Sequence, residues 1–181
     1  MVNPELIQRL VVIFPAAVIA ITFHEVAHGY AAEKLGDHTA RLNGRLTLNP
    51  IAHIDIFGTL ILPILLAVLT GGRIVFGYAK PVPVNPFNLK DPRRDMALTA
   101  AAGPATNFAL AAISAILLRI LGFFGQPGST ALEWILLPII ALLQFSILIN
   151  AILLVFNLIP IPPLDGGRIL VGIVPADWAR T

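Results

Sequence analysis

The chain contains no cysteine and few charged side chains. Without cysteine, a disulfide framework and a thiolate metal site are both excluded, so any metal must be held by His, Asp or Glu. Only 12% of the 181 residues are charged and 57% are hydrophobic, whereas an average soluble domain has about 25% charged residues. The net charge of +2 is too small to indicate nucleic-acid binding. This composition predicts a chain embedded in the lipid bilayer.

The N-terminus lacks a lysine- or arginine-rich region followed by a small-residue cleavage site. We therefore expect the first apolar run to be a retained membrane span rather than a signal peptide. The apolar runs cover residues 10–32, 57–70, 96–124 and 132–159. They predict an all-α multi-pass membrane protein, a bundle of about four to five membrane helices. We expect a single domain over residues 1–181, truncated after the Asp-Gly motif at 165–166.

Two connecting segments carry strand and turn patterns. Residues 41–46 alternate polar and apolar side chains around Asn43-Gly44, which is typical of a β-hairpin. In residues 78–86, three prolines favour an extended backbone, because each proline moves the residue before it out of the helical region. Prolines at alternate positions leave one edge able to pair, so this segment is predicted to be an edge strand.

His24 and His28 belong to the sequence His-Glu-Val-Ala-His, which follows a long uncharged run. On an α-helix their spacing turns by about 400°, so both imidazoles project from one face. Two such imidazoles can bind one Zn²⁺, and Glu25 can reach a water beside that metal. The pattern also arises by chance in soluble helices. Within a membrane span, however, each ionisable group costs about 2.5–3.5 kcal/mol on insertion scales and indicates a functional site.

A catalytic zinc site needs a third protein ligand and an open position for water. Asp165 is the only acidic residue between Glu133 and Asp177, and it lies in a Pro- and Gly-rich bend after an apolar run. It could also cap the start of a helix. Four further candidates lie closer in sequence to the histidine pair: Asp37, His38, His53 and Asp55. The residues alone leave these candidates open.

Three motifs together resemble those of the site-2 protease family of intramembrane zinc metalloproteases. They are His-Glu-Val-Ala-His at 24–28, Gly-Pro-Ala-Thr-Asn at 103–107 and Asn-Leu-Ile-Pro-Ile-Pro-Pro-Leu-Asp-Gly-Gly-Arg at 157–168. The resemblance implies one zinc ion per chain, bound by His24, His28 and Asp165, with Glu25 as the catalytic residue. It also implies a transmembrane protein as substrate and a compact branch of the family without a PDZ domain. Compared with the minimal three-helix core of the family, residues 57–70 are an additional element.

Five further residues are candidates for substrate binding or for support of the ligands. The resemblance places Asn157 near the active site, and Asn107 closes the Gly-Pro-Ala-Thr-Asn motif; an interhelical hydrogen bond is the alternative for both amides. His53 is expected to support the ligands rather than to bind the metal. Val82 and Val84 lie on the extended segment, which could pair with an unwound substrate.

The position of the metal ligands constrains the topology. His28 lies near the C-terminal end of the first apolar run, and Asp165 follows the fourth. Four simple crossings would put these residues on opposite sides of the membrane, so one segment must not cross in the ordinary way. The run at 57–70 would rise only about 21 Å as a helix, less than the hydrocarbon core of about 30 Å. We expect it to form a re-entrant element with the extended return at 73–86.

With that folding, basic residues are concentrated at the active-site end, nine against three. The nine are Lys34, Arg41, Arg45, Lys80, Lys90, Arg93, Arg94, Arg168 and Arg180. The three at the other end are Arg9, Arg73 and Arg119. The positive-inside rule then orients the catalytic end toward the cytoplasm, in the cell membrane.

Two functions from other classes use the same ligands. A membrane metal transporter or sensor would need a polar path across the bilayer, for which the last two apolar runs offer few groups. A catalytically silent membrane scaffold would have no need of Glu25. Both alternatives are therefore disfavoured against a protease, and replacement of Glu25 separates all three.

Overall fold

The computed structural model describes residues 4–71, 73, 77–123 and 130–175. Six α-helices are present in these ranges. They are α1 (Pro4–Lys34), α2 (Thr39–Leu42), α3 (Leu62–Thr70), α4 (Pro92–Phe123), α5 (Thr130–Asn157) and α6 (Asp165–Ile173). Short 3-10 turns cover Pro50–His53 and Pro86–Asn88, and a π-helical segment, Ile56–Ile61, leads into α3. The all-α prediction is confirmed, and the described residues contain no β-strand.

Helices α1, α4 and α5 are long and apolar enough to cross a membrane. Their large side chains face outward, as lipid contact requires: Phe14 is 69% exposed, Phe108 64% and Trp134 80%. The apolar helical stretch Ile56–Thr70 is too short to qualify as a span. The chain is a membrane protein with three candidate spans in its described part, fewer than the four to five that were expected. The difference lies at the apolar run over 57–70, whose helix is shorter than a span, as its expected rise of about 21 Å indicates.

Helix α4 lies at the centre of the bundle and packs against α1, α5 and α6. Small residues are buried in both helices: Ala16 and Ala20 on α1, and Ala100 and Gly103 on α4. At Ala20 and Gly103 they allow the close approach of α1 and α4. Three crossings in the order α1, α4, α5 would place the C-terminal ends of α1 and α5 on one side. This arrangement lets residues from the ends of both helices meet at one point.

The predicted hairpin over residues 41–46 is wrong. Helix α2 occupies Thr39–Leu42, and the amides of Asn43 and Gly44 continue its hydrogen bonding by donating to the carbonyls of Thr39 and Arg41 at 3.1 and 2.9 Å. Gly44 has a φ of +63°, the left-handed conformation that ends helices. Asn-Gly suits both a type I′ hairpin turn and a helix C-terminus, and here the second use prevails.

The predicted edge strand over residues 78–86 is also wrong, although donors do alternate along this segment. Tyr78 N–H donates to the carbonyl of Gly58 at 3.0 Å, and Lys80 N–H to that of His53 at 2.9 Å. These acceptors belong to turns and a short helix, so no ladder forms. The donor-bearing edge is thus used to attach the segment to the protein itself.

Asp37 connects the end of α1 to the turn that precedes α4. Its fully buried carboxylate accepts hydrogen bonds from the backbone amides of Thr39 and Asn85, at 3.1 and 2.7 Å, and from the side-chain amide of Asn88 at 2.7 Å. Burial acts to raise the pKa of this carboxyl, but the hydrogen bonds from Thr39, Asn88 and Asn85 outweigh it. The pKa of Asp37 therefore lies below its ordinary value.

This lowered pKa predicts a pH-dependent contribution to stability. Because the folded state favours the ionised carboxylate, the contribution is complete above the unfolded pKa of about 3.9 and is lost as pH falls through the folded pKa. We expect Asp37→Asn to lower the melting temperature by about 3–10 °C near pH 7, since hydrogen bonds to a charged group contribute about 1.5–3 kcal/mol. Thermal unfolding of both proteins between pH 7 and pH 3 checks this. A difference in melting temperature that does not shrink below pH 4 would contradict it.

Candidate metal centre

Side chains from α1 and α6 converge on one point. The Nε2 atoms of His24 and His28 are 3.0 Å apart, and each lies 3.2 Å from Oδ2 of Asp165. A tetrahedral zinc ion with ligands at about 2.0–2.1 Å holds neighbouring ligand atoms about 3.3 Å apart. The three atoms therefore have the spacing of ligands that share one small cation. No other group of three His, Cys, Asp or Glu side chains in the described ranges has such spacing.

Asp165 reaches the histidines because α6 begins immediately after a tight turn. Asp165 is the first residue of α6, and Gly166 and Gly167 are buried behind it. A Cβ at Gly166 would clash with the carbonyl oxygens of Leu158 and Ile159. The Asp-Gly-Gly sequence thus lets the helix start in contact with the preceding turn, which directs the carboxylate toward α1.

The other ring nitrogen of each histidine is hydrogen-bonded to an oxygen. His28 Nδ1 lies 2.7 Å from the carbonyl oxygen of Thr99, and His24 Nδ1 lies 2.6 Å from Oδ1 of Asn107. Both oxygens are acceptors, so both Nδ1 atoms carry the proton. In the neutral imidazoles each Nε2 then presents a lone pair, which is the form that binds a metal.

The electrostatics of the cluster also fit a cation. Asp165 Oδ2 is buried without a hydrogen-bond donor and faces the two Nε2 lone pairs. Three electron-pair donors that face one another repel unless a positive ion lies between them. The residues present therefore fit a zinc ion, and the donor set of two imidazoles and one carboxylate is among those that zinc uses.

Gly103 on α4 leaves room for the imidazole rings of both histidines. A Cβ at this position would lie 2.5 Å from Cε1 of His24 and from Cε1 and Nε2 of His28. The imidazoles thus occupy the space that any larger residue would fill. The glycine of the Gly-Pro-Ala-Thr-Asn sequence has a direct role in the site, because it sets how closely α1 approaches α4.

Glu25 is half-buried and accepts a hydrogen bond through Oε2 from the backbone amide of Val82 at 2.9 Å. Val82 is itself only 8% exposed, and it packs against Gly29 on α1. A Cβ on Gly29 would lie 2.9 Å from Cγ1 of Val82. The segment that was expected to present a free edge is thus held against α1 beside Glu25. The backbone amide of Val84 donates no hydrogen bond to any of the described residues.

Three sequence candidates remain: Asn157, His53 and Val84. Asn157 donates to the carbonyl of Leu153 in its own helix at 3.0 Å. His53 is buried, with Nε2 2.9 Å from the carbonyl oxygen of Thr47. Val84 is half-buried on the extended segment. None of the three has a hydrogen bond, in the described part of the chain, to either histidine or to Asp165.

The competing ligands have other roles. Asp37 is bonded to loop amides, as described above. Asp55 accepts from the amide of Gly58 at 2.7 Å and caps the following helical segment. His38 is exposed and lies 3.7 Å from the carboxylate of Glu33. Of the candidates for the third ligand, only Asp165 is brought to the histidine pair.

Sequence reasoning missed Asn150 and the carbonyl of Thr99. Asn150 is fully buried in α5, and its Oδ1 accepts from the side-chain amide of Asn107 at 2.8 Å. A lone amide in the middle of an apolar span is a recognisable pattern, because such groups require a partner within the bundle. A backbone carbonyl carries no such pattern, so the role of Thr99 required the structure.

Comparison with known proteins assigns the family. Residues 129–178 match the family model described as "Peptidase family M50". The chain is 42% identical over 161 residues to "Putative zinc metalloprotease YwhC" of Bacillus subtilis (strain 168), and the match covers 87% of the chain and 67% of that protein. No solved structure gives a significant match.

Two further relatives are mycobacterial proteins named "Putative zinc metalloprotease Rip2". The protein from Mycolicibacterium smegmatis is 32% identical over 148 residues, covering 82% of this chain and 51% of that protein. The protein from Mycobacterium tuberculosis (strain ATCC 25618 / H37Rv) is 33% identical over 156 residues, covering 86% and 54%. The chain thus spans about half the length of the Rip2 proteins. With this degree of identity over most of its length, the chain belongs to peptidase family M50, the site-2 protease family of zinc metalloproteases.

Proposed function

We propose that this chain is an intramembrane zinc metalloprotease that hydrolyses peptide bonds of transmembrane protein substrates. The observation that carries the proposal is the convergence of His24, His28 and Asp165, with ligand atoms 3.0–3.2 Å apart, on helices of a membrane bundle. In this proposal the three residues bind one zinc ion per chain. Zinc bound there would polarise the scissile carbonyl and lower the pKa of a water to about 7.

Glu25 is the proposed general base. Its carboxylate follows His24 directly in sequence and can take the proton from the attacking water and deliver it to the leaving amine. The Val82 amide holds Oε2 and so limits the orientations of the carboxylate. Oε1 accepts no hydrogen bond in the described structure, which leaves it able to accept the proton.

The extended segment is the proposed contact for substrate. A helical substrate keeps its backbone amides in its own hydrogen bonds, so it must unwind locally before attack. An unwound substrate could hydrogen-bond to the part of this segment whose amides are not bonded to the protein itself, as a short form of strand addition. Because the Val82 amide is already bonded to Glu25, the Val84 amide is the donor that the segment offers.

The proposed orientation places the metal centre toward the cytoplasm. Helices α1, α4 and α5 provide three crossings, so the end of α1 and the start of α6 share a side without a crossing by residues 56–70. That short stretch is then a re-entrant or interfacial element. The concentration of lysine and arginine at the metal-centre end supports a cytoplasmic location.

Metal analysis tests the proposal directly. We expect elemental analysis of the purified protein to find one zinc per chain and His24→Ala to lose it, because two remaining protein ligands bind zinc weakly. His38→Ala is the matched control, since this histidine is exposed and outside the cluster, and it should keep one zinc per chain. Absence of zinc from the parent, or equal zinc in parent and His24→Ala, would refute the assignment.

A further inference from the structure

A chain of hydrogen bonds extends from His24 through α4 into α5. Asn107 and Asn150 are both fully buried, and the side-chain amide of Asn107 donates to Oδ1 of Asn150 at 2.8 Å. Nδ2 of Asn150 donates in turn to the backbone carbonyl of Ser146 at 2.8 Å. The peptidase activity explains why His24 needs an oxygen beside Nδ1, but it does not require a second asparagine on another helix.

The direction of every hydrogen bond in this chain is fixed from its far end. A backbone carbonyl can only accept, so Ser146 orients the Asn150 amide with Nδ2 toward itself and Oδ1 toward Asn107. Oδ1 of Asn150 then attracts the NH₂ group of Asn107, which turns Oδ1 of Asn107 toward His24. That oxygen requires the proton of His24 to be on Nδ1. The consequence is that Nε2 of His24 is left unprotonated at the metal centre.

We propose that Asn150 is a positioning residue for the metal centre, acting through Asn107 to hold His24 in the tautomer that binds zinc. The proposal rests on the proposed role of His24 as a zinc ligand. The Asn107 NH₂ group donates two hydrogen bonds, one of 2.8 Å to Asn150 and one of 3.4 Å to the Ala20 carbonyl. Without Asn150, only the longer of these remains. If the Asn107 amide reversed, its NH₂ group would face Nδ1 of His24, which would then have to accept a hydrogen bond. The proton of the ring would move to Nε2, the atom that zinc needs unprotonated.

The two histidines differ in what fixes the oxygen that accepts from Nδ1. His28 Nδ1 donates to the backbone carbonyl of Thr99, whose direction is set by the helix itself. His24 depends on a side-chain amide that has two possible orientations. A substitution at Asn150 should therefore act on His24 and leave the hydrogen bond of His28 intact.

Zinc affinity tests the proposal with three variants. Asn150→Leu keeps the approximate volume and removes the amide, and we expect a 10- to 100-fold loss of zinc affinity in competition with a chelator, the usual effect of removing support from a ligand. Asn150→Asp, kept neutral by burial, can donate to Ser146 and accept from Asn107, so its affinity should stay within about threefold of the parent. Gln144→Leu is the control, because it removes an exposed amide from the same helix that has no hydrogen bond in the described structure.

A second readout does not require bound zinc. In the protein freed of zinc by a chelator, the ¹⁵N shifts of the His24 ring should show a proton on Nδ1 in the parent and in Asn150→Asp. Asn150→Leu should show a mixture or a proton on Nε2. Parent-like affinity and tautomer in Asn150→Leu would overturn the inference. If Asn150→Leu does not fold, Asn150→Asp decides: loss of zinc affinity in that variant overturns it. A parent that binds no zinc would instead refute the proposed function.

Discussion

Glu25→Gln should abolish cleavage of a membrane substrate while zinc remains bound. Glutamine keeps the size of the side chain and can still accept the Val82 amide through its carbonyl oxygen, but it cannot take a proton from water. Positioned general bases contribute about 10²- to 10⁴-fold to rate, so a loss in that range is expected in kcat. The three proposed zinc ligands are untouched, and zinc content should stay at the parent level.

Two measurements on the same preparation check this prediction: cleavage of a membrane protein in detergent and zinc by elemental analysis. Glu133→Gln provides the control, because it makes the same substitution at the other end of the bundle, in the first turn of α5. Activity of Glu25→Gln within tenfold of the parent would mean that another group is the base. A parent with zinc but without cleavage of any membrane substrate would favour a metal transporter, a sensor or a silent scaffold.

The same variant can capture the substrate. Because the chain contains no cysteine, a single cysteine at Val84 in the Glu25→Gln background gives a unique position for crosslinking. The proposed strand pairing places substrate backbone beside this residue. Crosslinks to substrate from position 84, and none from a cysteine at the lipid-facing Trp134, are the pattern that the pairing requires.

The local part of the candidate metal centre was predictable from sequence, and the remote part was predictable only in outline. His24 and His28 follow from helical periodicity, because a spacing of four residues fixes one face whatever the tertiary structure. Asp165 is 137 residues beyond His28 in the sequence and required the resemblance to a family. The partner of His24 is 83 residues away, and its neighbour Asn150 is on a third helix. Periodicity cannot connect residues across such distances.

The errors in the connecting segments have a common physical cause. Asn43-Gly44 and the prolines of residues 81–86 restrict φ, but several structures satisfy each restriction. At Gly44 the left-handed conformation ends a short helix instead of a hairpin turn. In the extended segment, the acceptors that decide between strand and attached loop are the carbonyls of Gly58 and His53 and the carboxylate of Glu25. Tertiary contacts determine these acceptors, and a backbone preference does not specify them.

Gly103→Ala should remove zinc binding although it adds only one methyl group. The new Cβ would lie 2.5 Å from atoms of both imidazoles, whereas ordinary contacts begin near 3.4 Å. The rings would have to move by nearly an ångström, yet hydrogen bonds to Asn107 and Thr99 hold them from behind. Metal–ligand distances in real sites lie within about 0.2 Å of their usual values, so a movement of nearly an ångström should lower zinc affinity at least about 100-fold.

Gly122→Ala is the matched control for this prediction. It lies on the same helix, and a Cβ there would meet nothing within 4 Å. Alanine in a helix is more stable than glycine by about 0.5–1 kcal/mol, so this variant should keep its zinc and melt no lower than the parent. Chelator competition and thermal unfolding measure both quantities. Parent-like zinc affinity in Gly103→Ala would mean that α1 and α4 can separate without disturbing the ligands. In that case close helix packing would not be what holds His24 and His28 at the metal centre.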